Sequence, residues 1–247
     1  MPMVYNTEAV ILRQWDYKEQ DRMISMLTPE RGKITAIAMG ARKTRSKLAG
    51  NVQPLTYVNL QIYTGKGPDI IQQVEVLDSF ISVKSDLDRL AQAFNLAEIF
   101  DVMSFAGEME EHQFRFFLAS LKLLQKSDNA LAAACAIKLK LLTMCGYEMQ
   151  FDVCCACGCS VSYGNEFLSF ANGGLVCRQC LNAMHMKATK LTAKQLDFIR
   201  SLQVGKDICC PPDNEILRVM AILDGVIQDA SEKEIKSSKF LQQVTML

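Results

Sequence analysis

The chain has 247 residues, 49% of them hydrophobic, and its 27 basic and 27 acidic side chains give a formal net charge of zero. This composition is typical of a folded globular protein and excludes a disordered or collagen-like chain. Lys138 and Lys140 interrupt the most apolar stretch, so we expect no membrane span. The first residues lack the basic start and apolar core of a signal peptide. Together with ten cysteines, these features predict a reducing, cytoplasmic location.

Basic side chains are concentrated in one segment. No acidic residue occurs between Glu30 and Asp69. The same interval contains seven cations, namely Arg31, Lys33, Arg42, Lys43, Arg45, Lys47 and Lys66. Such an asymmetry in a neutral chain predicts a local anion-binding face. The alternative is a solvated surface run that has no partner.

Residues 1–81 are predicted to form five short strands. The predicted strands are 4–14, 21–28, 33–39, 55–63 and 69–81, with tight turns at 29–32 and 65–68 and a basic loop at 40–51. In the fourth strand Val58, Leu60 and Ile62 face one way, whereas Tyr57 and Tyr63 face the other. Five strands with no helix of any length indicate a small closed barrel such as an OB-fold.

The two tyrosines are candidates for nucleic-acid contact. Aromatic rings on a polar strand face, beside a cationic loop, are what single-strand binders use to stack bases and neutralise phosphates. Tyr57 and Tyr63 are therefore predicted to bind nucleic acid. The alternative is that both rings only cover the flank of the barrel.

After residue 81 the hydrophobic period becomes helical. Predicted core stripes are Leu87, Leu90, Phe94 and Ala97; Phe114, Phe117, Leu118, Leu121 and Leu124; and Ile216, Leu217, Met220, Leu223 and Ile227. Asp86, a capping box at 192–195 and the Pro212-Asp213 pair are start signals. Residues 82–247 are therefore predicted to form an α-helical domain.

A four-cysteine metal site is predicted inside this helical domain, at about 151–184. Cys154 and Cys157 form one C-x-x-C pair, Cys177 and Cys180 form a second, and nineteen residues separate the two pairs. Four converging thiolates complete a closed tetrahedral shell, which suits one structural Zn²⁺. The intervening hairpin, with a turn at 172–174, is too small to fold well without metal.

Several alternatives to this ligand set stay open. Cys155 and Cys159 lie in the same knuckle and could replace a ligand, and His185 could replace a cysteine. A redox-active C-x-x-C is a further alternative, although no thioredoxin-like βαβ context is present. The remaining thiols, Cys135, Cys145, Cys209 and Cys210, are expected to be packed in the interior.

The sequence contains no signature of enzymatic catalysis. It has no Gly-rich phosphate loop, and neither of its two histidines lies in a zincin or hydrolase motif. We therefore expect a protein that is not an enzyme and has no catalytic residues.

Taken in order along the chain, these features resemble the bacterial RecO family of DNA repair proteins. The similar segments are 7–12, 19–21, 27–33, 40–43, 48–50, 53–55, 63–67, 138–142, 146–147 and 235–241. The resemblance implies an N-terminal OB-fold domain at 1–81 and a helical domain that carries a zinc finger. It also implies a nucleoid-associated protein in the bacterial cytoplasm.

The resemblance further implies a recombination mediator that responds to DNA damage. Such a protein binds single- and double-stranded DNA, anneals complementary strands and helps to load RecA onto strands coated by single-strand-binding protein. The implied partners are RecR and the acidic tail of single-strand-binding protein. The predicted DNA-contacting cations are Arg31, Lys33, Arg42, Lys43, Arg45 and Lys47. The competing function is a zinc-containing adaptor whose basic face binds acidic protein tails, with DNA binding incidental.

Overall fold

The structure is a computed structural model that describes residues 3–103, 109–161, 166–205 and 208–238. The side chains of Lys47, Met109 and Glu110 also lie outside the described part. The chain divides into two compact units. The first contains the residues through Ala130 together with Ile235–Ser237, and the second contains Leu131–Glu234 and Ser238 onward.

The first unit is built on a closed five-stranded barrel. Its strands are β1 (Met3–Tyr17), β2 (Asp21–Thr28), β3 (Gly32–Ala38), β4 (Tyr57–Thr64) and β5 (Asp69–Asp78). They pair in the order β1-β2-β3-β5-β4, and β4 returns to pair with β1. Only the β3–β5 pair is parallel. This is the topology of the OB-fold, so the predicted fold class of the N-terminal region is confirmed.

The barrel interior is filled by the alternating apolar residues of its strands. Val58, Leu60 and Ile62 of β4 are almost fully buried, as their alternation predicted. They pack against apolar side chains of the other strands, including Ile11, Ile24, Met26, Ala36 and Ile71. A bulge between Ile11 and Arg13 shifts the register of β1, so residues after it exchange faces.

Two short helices were not predicted in this region. The basic segment 40–51 was expected to be a loop, but Lys47–Asn51 form helix α1, capped by the Ser46 hydroxyl. The fifth strand ends at Asp78 rather than at 81, and helix α2 follows at Ile81–Lys84. The expectation of no helix was wrong because a five-residue helix is too short to give a periodic pattern.

Two longer helices complete the first unit. They are α3 (Leu87–Val102), which the Asp86 carboxylate caps as predicted, and α4 (Met109–Lys126). Both contact barrel strands, and the Phe100 ring lies 4.7 Å from the Phe117 ring. The compact unit therefore continues through Ala130 rather than stopping where the barrel ends.

The predicted core stripe of α3 was wrong at Leu87 and Phe94, although Ala97 is buried as predicted. Leu87 is 81% exposed and Phe94 is 44% exposed, whereas the buried face carries Ala93, Leu96 and Phe100. The sequence pattern was ambiguous because nearly every turn of α3 offers an apolar residue on two faces. Most of the predicted stripe of α4 is confirmed, because Phe114, Phe117, Leu121 and Leu124 are buried.

A short C-terminal segment belongs to the first unit. Ile235 is fully buried, and the Glu98 carboxylate of α3 accepts the backbone N–H groups of Lys236 and Ser237 at 3.1 and 2.8 Å. The Asn95 amide also donates to the Ser237 hydroxyl. These bonds attach the segment to α3.

The second unit is helical and carries a small sheet. Its helices are α5 (Ala130–Met144), α6 (Arg178–Ala183), α7 (Ala193–Val204) and α8 (Asp213–Ser231), and its strands are β6 (Phe167–Ser169), β7 (Gly174–Val176) and β8 (Thr189–Lys190). The sheet order is β7-β6-β8. The predicted capping box of Thr192 and Gln195 is present, and α8 begins after Pro212.

A buried ion pair lies in the helical core of this unit. The Lys138 ammonium of α5 is 2.6 Å from the Asp224 carboxylate of α8, and both side chains are almost fully buried. Cys135 is buried one turn earlier on α5. The expectation that all four remaining cysteines are packed was wrong, because Cys209 and Cys210 are exposed.

Among the described helices, none has the length and apolar content that crossing a lipid bilayer requires.

Candidate nucleic-acid interface and metal centre

The exposed part of the basic segment follows directly after β3. Arg42, Lys43 and Arg45 are all exposed there. Lys47 begins α1, and its side chain lies outside the described part of the structure. We call Arg42, Lys43 and Arg45 the cationic loop.

The cationic loop is fixed against the turn between β1 and β2. The Arg42 backbone N–H donates to the Gln20 carbonyl at 3.0 Å, and its guanidinium donates to the Lys18 carbonyl at 3.2 Å. The same guanidinium lies 3.3 Å from the Asp16 carboxylate. The Gly40 N–H also donates to the Asp21 carboxylate. These bonds hold the backbone in place while Lys43 and Arg45 extend into solvent.

Arg31 and Lys33 lie at the other end of the barrel from the cationic loop. They flank the turn at the start of β3, whereas the cationic loop follows its end, and seven strand residues span about 20 Å. The Arg31 guanidinium stacks over the Tyr5 ring, 3.9 Å from its centroid. The six predicted DNA-contacting cations therefore do not form a single cluster.

Lys33 is engaged by a buried carboxylate. Its ammonium donates to the Asp101 carbonyl at 2.6 Å and lies 3.7 Å from the Asp101 carboxylate. That carboxylate also accepts the Ser25 hydroxyl at 2.7 Å and lies 2.8 Å from the Arg13 guanidinium. Asp101 thus joins α3 to β1, β2 and β3, and the Lys33 ammonium is one of the groups that it binds. We call this group of contacts the Asp101 junction.

The two predicted tyrosines have different surroundings. The Tyr57 hydroxyl donates to the Glu8 carboxylate, and its ring lies 6.3 Å from the Phe114 ring. Partial burial and this bond to Glu8 together raise the pKa of Tyr57 to about 12. Tyr63 instead lines an open surface depression with Gln61 and Ile70.

The second unit brings together the four cysteines that the spacing singled out. The sulfur atoms of Cys154, Cys157, Cys177 and Cys180 all lie within 4.8 Å of one another. The Cys157 and Cys177 sulfurs are 3.9 Å apart. A tetrahedral shell with metal–sulfur bonds of about 2.3 Å places its sulfurs about 3.8 Å apart. The group is therefore close enough to hold one metal ion.

Backbone N–H groups point at two of these sulfurs. The Cys177 N–H donates to the Cys154 sulfur, and the Cys180 N–H donates to the Cys177 sulfur at the start of α6. Burial opposes ionisation of Cys154, but N–H groups of Cys177, Cys157 and Ala156 lower its pKa to about 6. These donors favour the thiolate that a metal requires.

Backbone bonds fix the β6–β7 hairpin to the first cysteine pair. The Gln150 N–H donates to the Gly173 carbonyl, the Leu175 N–H to the Gln150 carbonyl, and the Cys155 N–H to the Leu175 carbonyl. Gly174 has a φ of +149°, and a Cβ there would lie 2.2 Å from the Gln150 oxygen. Only glycine permits this approach of the two segments.

Two protein-family models match this chain, and together they span most of its length. The family models described as recombination protein O N terminal and recombination protein O C terminal match residues 1–80 and 84–239. The chain belongs to the RecO family. The role of this family is in DNA repair and recombination.

Individual RecO relatives align along much of the chain. A protein named DNA repair protein RecO from Clostridium novyi (strain NT) is 30% identical over 95% of this chain and 92% of its own length. The Symbiobacterium thermophilum protein of the same name is 32% identical over 82% and 81%. The protein of that name from Desulfitobacterium hafniense (strain DSM 10664 / DCB-2) is 34% identical over 72% of this chain and 64% of its own length.

The sequence of this RecO chain offers Cys155, Cys159 and His185 as alternative metal ligands, and the structure narrows that choice. Of the two extra knuckle cysteines, Cys159 has its sulfur 3.3 Å from that of Cys157, whereas the Cys155 sulfur lies beside Gly174. His185, the other alternative, is not part of the described four-sulfur group. Cys159 is thus the extra thiol placed closest to the predicted ligands.

Sequence reasoning also missed the Asp101 junction in the barrel unit. Arg13 and Lys33 are brought to Asp101 from 88 and 68 residues away in the chain. No local pattern marks such a pairing, since the carboxylate lies in a helix that sequence reasoning treated as a separate domain.

Proposed function

We propose that this chain is a recombination mediator that binds single- and double-stranded DNA and anneals complementary strands. We further propose that it helps to load RecA onto strands coated by single-strand-binding protein. Membership of the RecO family supports this function, together with an OB-fold barrel whose exposed cationic loop follows β3. Barrels of this fold bind oligonucleotides in many proteins.

The mechanism is electrostatic and involves no bond chemistry, so the protein is not an enzyme. Two DNA strands repel each other through their phosphates, and annealing requires that this charge be neutralised while the base edges stay free. Arg42, Lys43, Arg45 and Lys47 supply positive charge and release counterions from the strand. Arg31 contributes from the opposite end of the barrel, while Lys33 remains paired with Asp101.

The proposed partners follow from family membership. They are RecR and the acidic tail of single-strand-binding protein, both in the bacterial cytoplasm at the nucleoid. A cationic loop attracts acidic peptides as well as phosphates, and electrostatic attraction of this kind speeds encounter more than it tightens binding.

The four-cysteine group is proposed to hold one structural Zn²⁺. Four thiolates leave no open position for a substrate or an activated water, which distinguishes a structural zinc from a catalytic one. The two backbone N–H donors orient the sulfurs in the same way as outer-shell groups in known sites.

The test is strand annealing by the purified protein and by a variant in which Arg42, Lys43, Arg45 and Lys47 are all changed to Ala. We expect the variant to lose annealing while circular dichroism shows that it is folded. In the parent, five phosphate contacts, four from these residues and one from Arg31, predict a slope of log K against log salt near −3.5 on single strands. In the variant, which keeps Arg31, that slope should fall to about −0.7.

A charge-matched control separates the cationic loop from total charge. Lys122, Lys126, Lys140 and Lys194 are exposed and lie outside the barrel strands, so changing all four to Ala should preserve annealing. If the parent itself does not anneal, the mediator function is wrong and an adaptor for acidic protein tails is favoured.

A further inference from the structure

A fifth sulfur lies against the four-cysteine group of the second unit. The Cys159 sulfur is 3.3 Å from that of Cys157, which is closer than the 3.9 Å between the sulfurs of Cys157 and Cys177. A tetrahedral metal site is complete with four thiolates, and the four-sulfur group already supplies them. The proposed metal site therefore does not require the Cys159 thiol.

The backbone of the knuckle 154–159 holds the Cys157 and Cys159 sulfurs together. The Cys154 N–H donates to the Cys159 carbonyl at 2.8 Å, and the Gly158 N–H donates to the Cys154 carbonyl at 2.8 Å. Gly158, between the two cysteines, has a φ of +73°, a left-handed conformation that glycine adopts without strain. These bonds fix a tight turn in which the two thiols are neighbours.

The spacing of Cys157 and Cys159 suits a disulfide. Their Cα atoms are two residues apart, which is at most about 7 Å in an extended chain and less in a turn. A disulfide requires a Cα separation of about 4.4–6.8 Å. The two sulfurs then have only to approach from 3.3 Å to about 2.05 Å.

Small molecules can reach this pair from solvent. Both thiols are exposed, and Cys159 lines an open recess of about 430 Å³ together with Cys177, Arg178 and Asn182. Exposed cysteines that lie beside a second thiol are the ones that peroxides convert to disulfides most readily. The recess therefore gives a small oxidant a route to the pair.

We propose that Cys157 and Cys159 are a peroxide-sensitive pair that forms an intramolecular disulfide. The Cys157 thiolate attacks one peroxide oxygen, the O–O bond breaks, one hydroxide leaves, and Cys157 becomes a sulfenic acid. The Cys159 sulfur then attacks the Cys157 sulfur and gives up its proton, so that an S–S bond forms and one water leaves. The two sulfurs lose two electrons, which the peroxide accepts.

The disulfide opens the four-sulfur group. Cys157 is one of its four members, and a disulfide sulfur has no thiolate to offer a metal. Three thiolates leave an incomplete shell, so oxidation should release the zinc and unfold the four-cysteine finger. This consequence rests on the proposed zinc, whereas the disulfide itself does not.

The test treats the purified full chain with hydrogen peroxide, blocks the remaining thiols with N-ethylmaleimide and maps the labelled cysteines by mass spectrometry. A coloured chelator records zinc release in the same samples. We expect Cys157 and Cys159 to escape labelling together, one zinc to be released per disulfide, and dithiothreitol to reverse both changes. Cys159→Ser keeps all four predicted ligands, so it should form no such disulfide and should retain its zinc at the peroxide concentration that empties the parent.

Cys155→Ser is the matched control, because Cys155 is an exposed thiol of the same knuckle whose sulfur lies beside Gly174. It should form the disulfide and release zinc as the parent does, and the zinc content before oxidation shows that both variants are folded. If Cys157 is linked to Cys177 instead, or if Cys159→Ser loses zinc as readily as the parent, the proposed pair is overturned. If the purified protein contains no zinc, the zinc proposal fails, and the map of labelled thiols still decides the disulfide.

Discussion

The barrel and the second unit are stabilised in different ways. The barrel interior is a continuous set of nearly fully buried apolar side chains from all five strands, closed by hydrogen bonds around the circumference. The second unit instead buries an ion pair, Lys138 with Asp224, and holds a sheet of two- and three-residue strands beside four clustered sulfurs. The barrel interior relies on apolar burial, whereas the second unit adds a buried ion pair and a group of possible metal ligands to its apolar core.

This difference indicates which part of the protein depends on its surroundings. Apolar burial requires no ligand and changes little with pH or redox state. A sheet of two- and three-residue strands would gain stability from the proposed metal, as in other metal-dependent domains. We therefore expect the four-cysteine finger to unfold when the metal is removed or when the pH or redox state changes, under conditions in which the barrel stays folded.

The largest expected effect is unfolding of the four-cysteine segment when the proposed metal is removed. Chelation, or Cys154→Ser or Cys177→Ser, should release zinc and lower the melting temperature of the second unit, because metal binding supplies much of the folding free energy of such sites. Zinc content by mass spectrometry and calorimetric melting measure this effect. Trp15 emission should stay constant, since Trp15 belongs to the barrel.

Cys155→Ser and Cys209→Ser serve as controls, because both residues are exposed and neither belongs to the four-sulfur group. They should retain one zinc per chain. Unchanged melting of a protein shown to be free of zinc would contradict the structural role of the metal.

A smaller effect is expected from breaking the buried ion pair. Lys138→Met leaves the Asp224 carboxylate buried without its ammonium partner, which typically costs about 3–5 kcal/mol. The double variant Lys138→Met, Asp224→Leu should recover most of that loss, because two apolar side chains replace both charges. Urea unfolding followed by circular dichroism measures both variants. A single variant as stable as the parent would show that the pair has no role in this core.

The smallest effect concerns Tyr57 in the barrel unit. Its pKa is raised to about 12 by partial burial and by the bond to Glu8, so the neutral phenol is favoured in the folded state. Its stabilising contribution is therefore fully present below pH 10 and is lost as the pH rises from about 10 to 12. The pair is exposed, so this contribution should be below about 1 kcal/mol.

Ultraviolet titration of the parent and of Tyr57→Phe isolates this phenol. A tyrosine that ionises near pH 12 in the parent should be absent from the variant. If the two titration curves coincide above pH 11, the bond to Glu8 does not form in solution.

Features that depend on residues close together in the chain were predictable from local patterns. The alternation of Val58, Leu60 and Ile62 predicted a barrel strand, because side chains of a strand alternate between its faces. The spacing of the two C-x-x-C pairs predicted the four-sulfur group, because each turn converges two thiols. Thr192 and Gln195 predicted a helix start, because their hydrogen bonds join residues only three positions apart.

Contacts between residues far apart in the chain became visible in the folded structure. Lys138 pairs with Asp224, and Arg13 pairs with Asp101, across long stretches of the chain. Ion pairs of this kind produce no periodic pattern in a sequence. The face that α3 buries depended on the strands against which it packs, which is why the stripe that includes Leu87 and Phe94 was misassigned. The direction in which Trp15 points likewise depends on the β1 bulge, which shifts the register of the strand after Ile11.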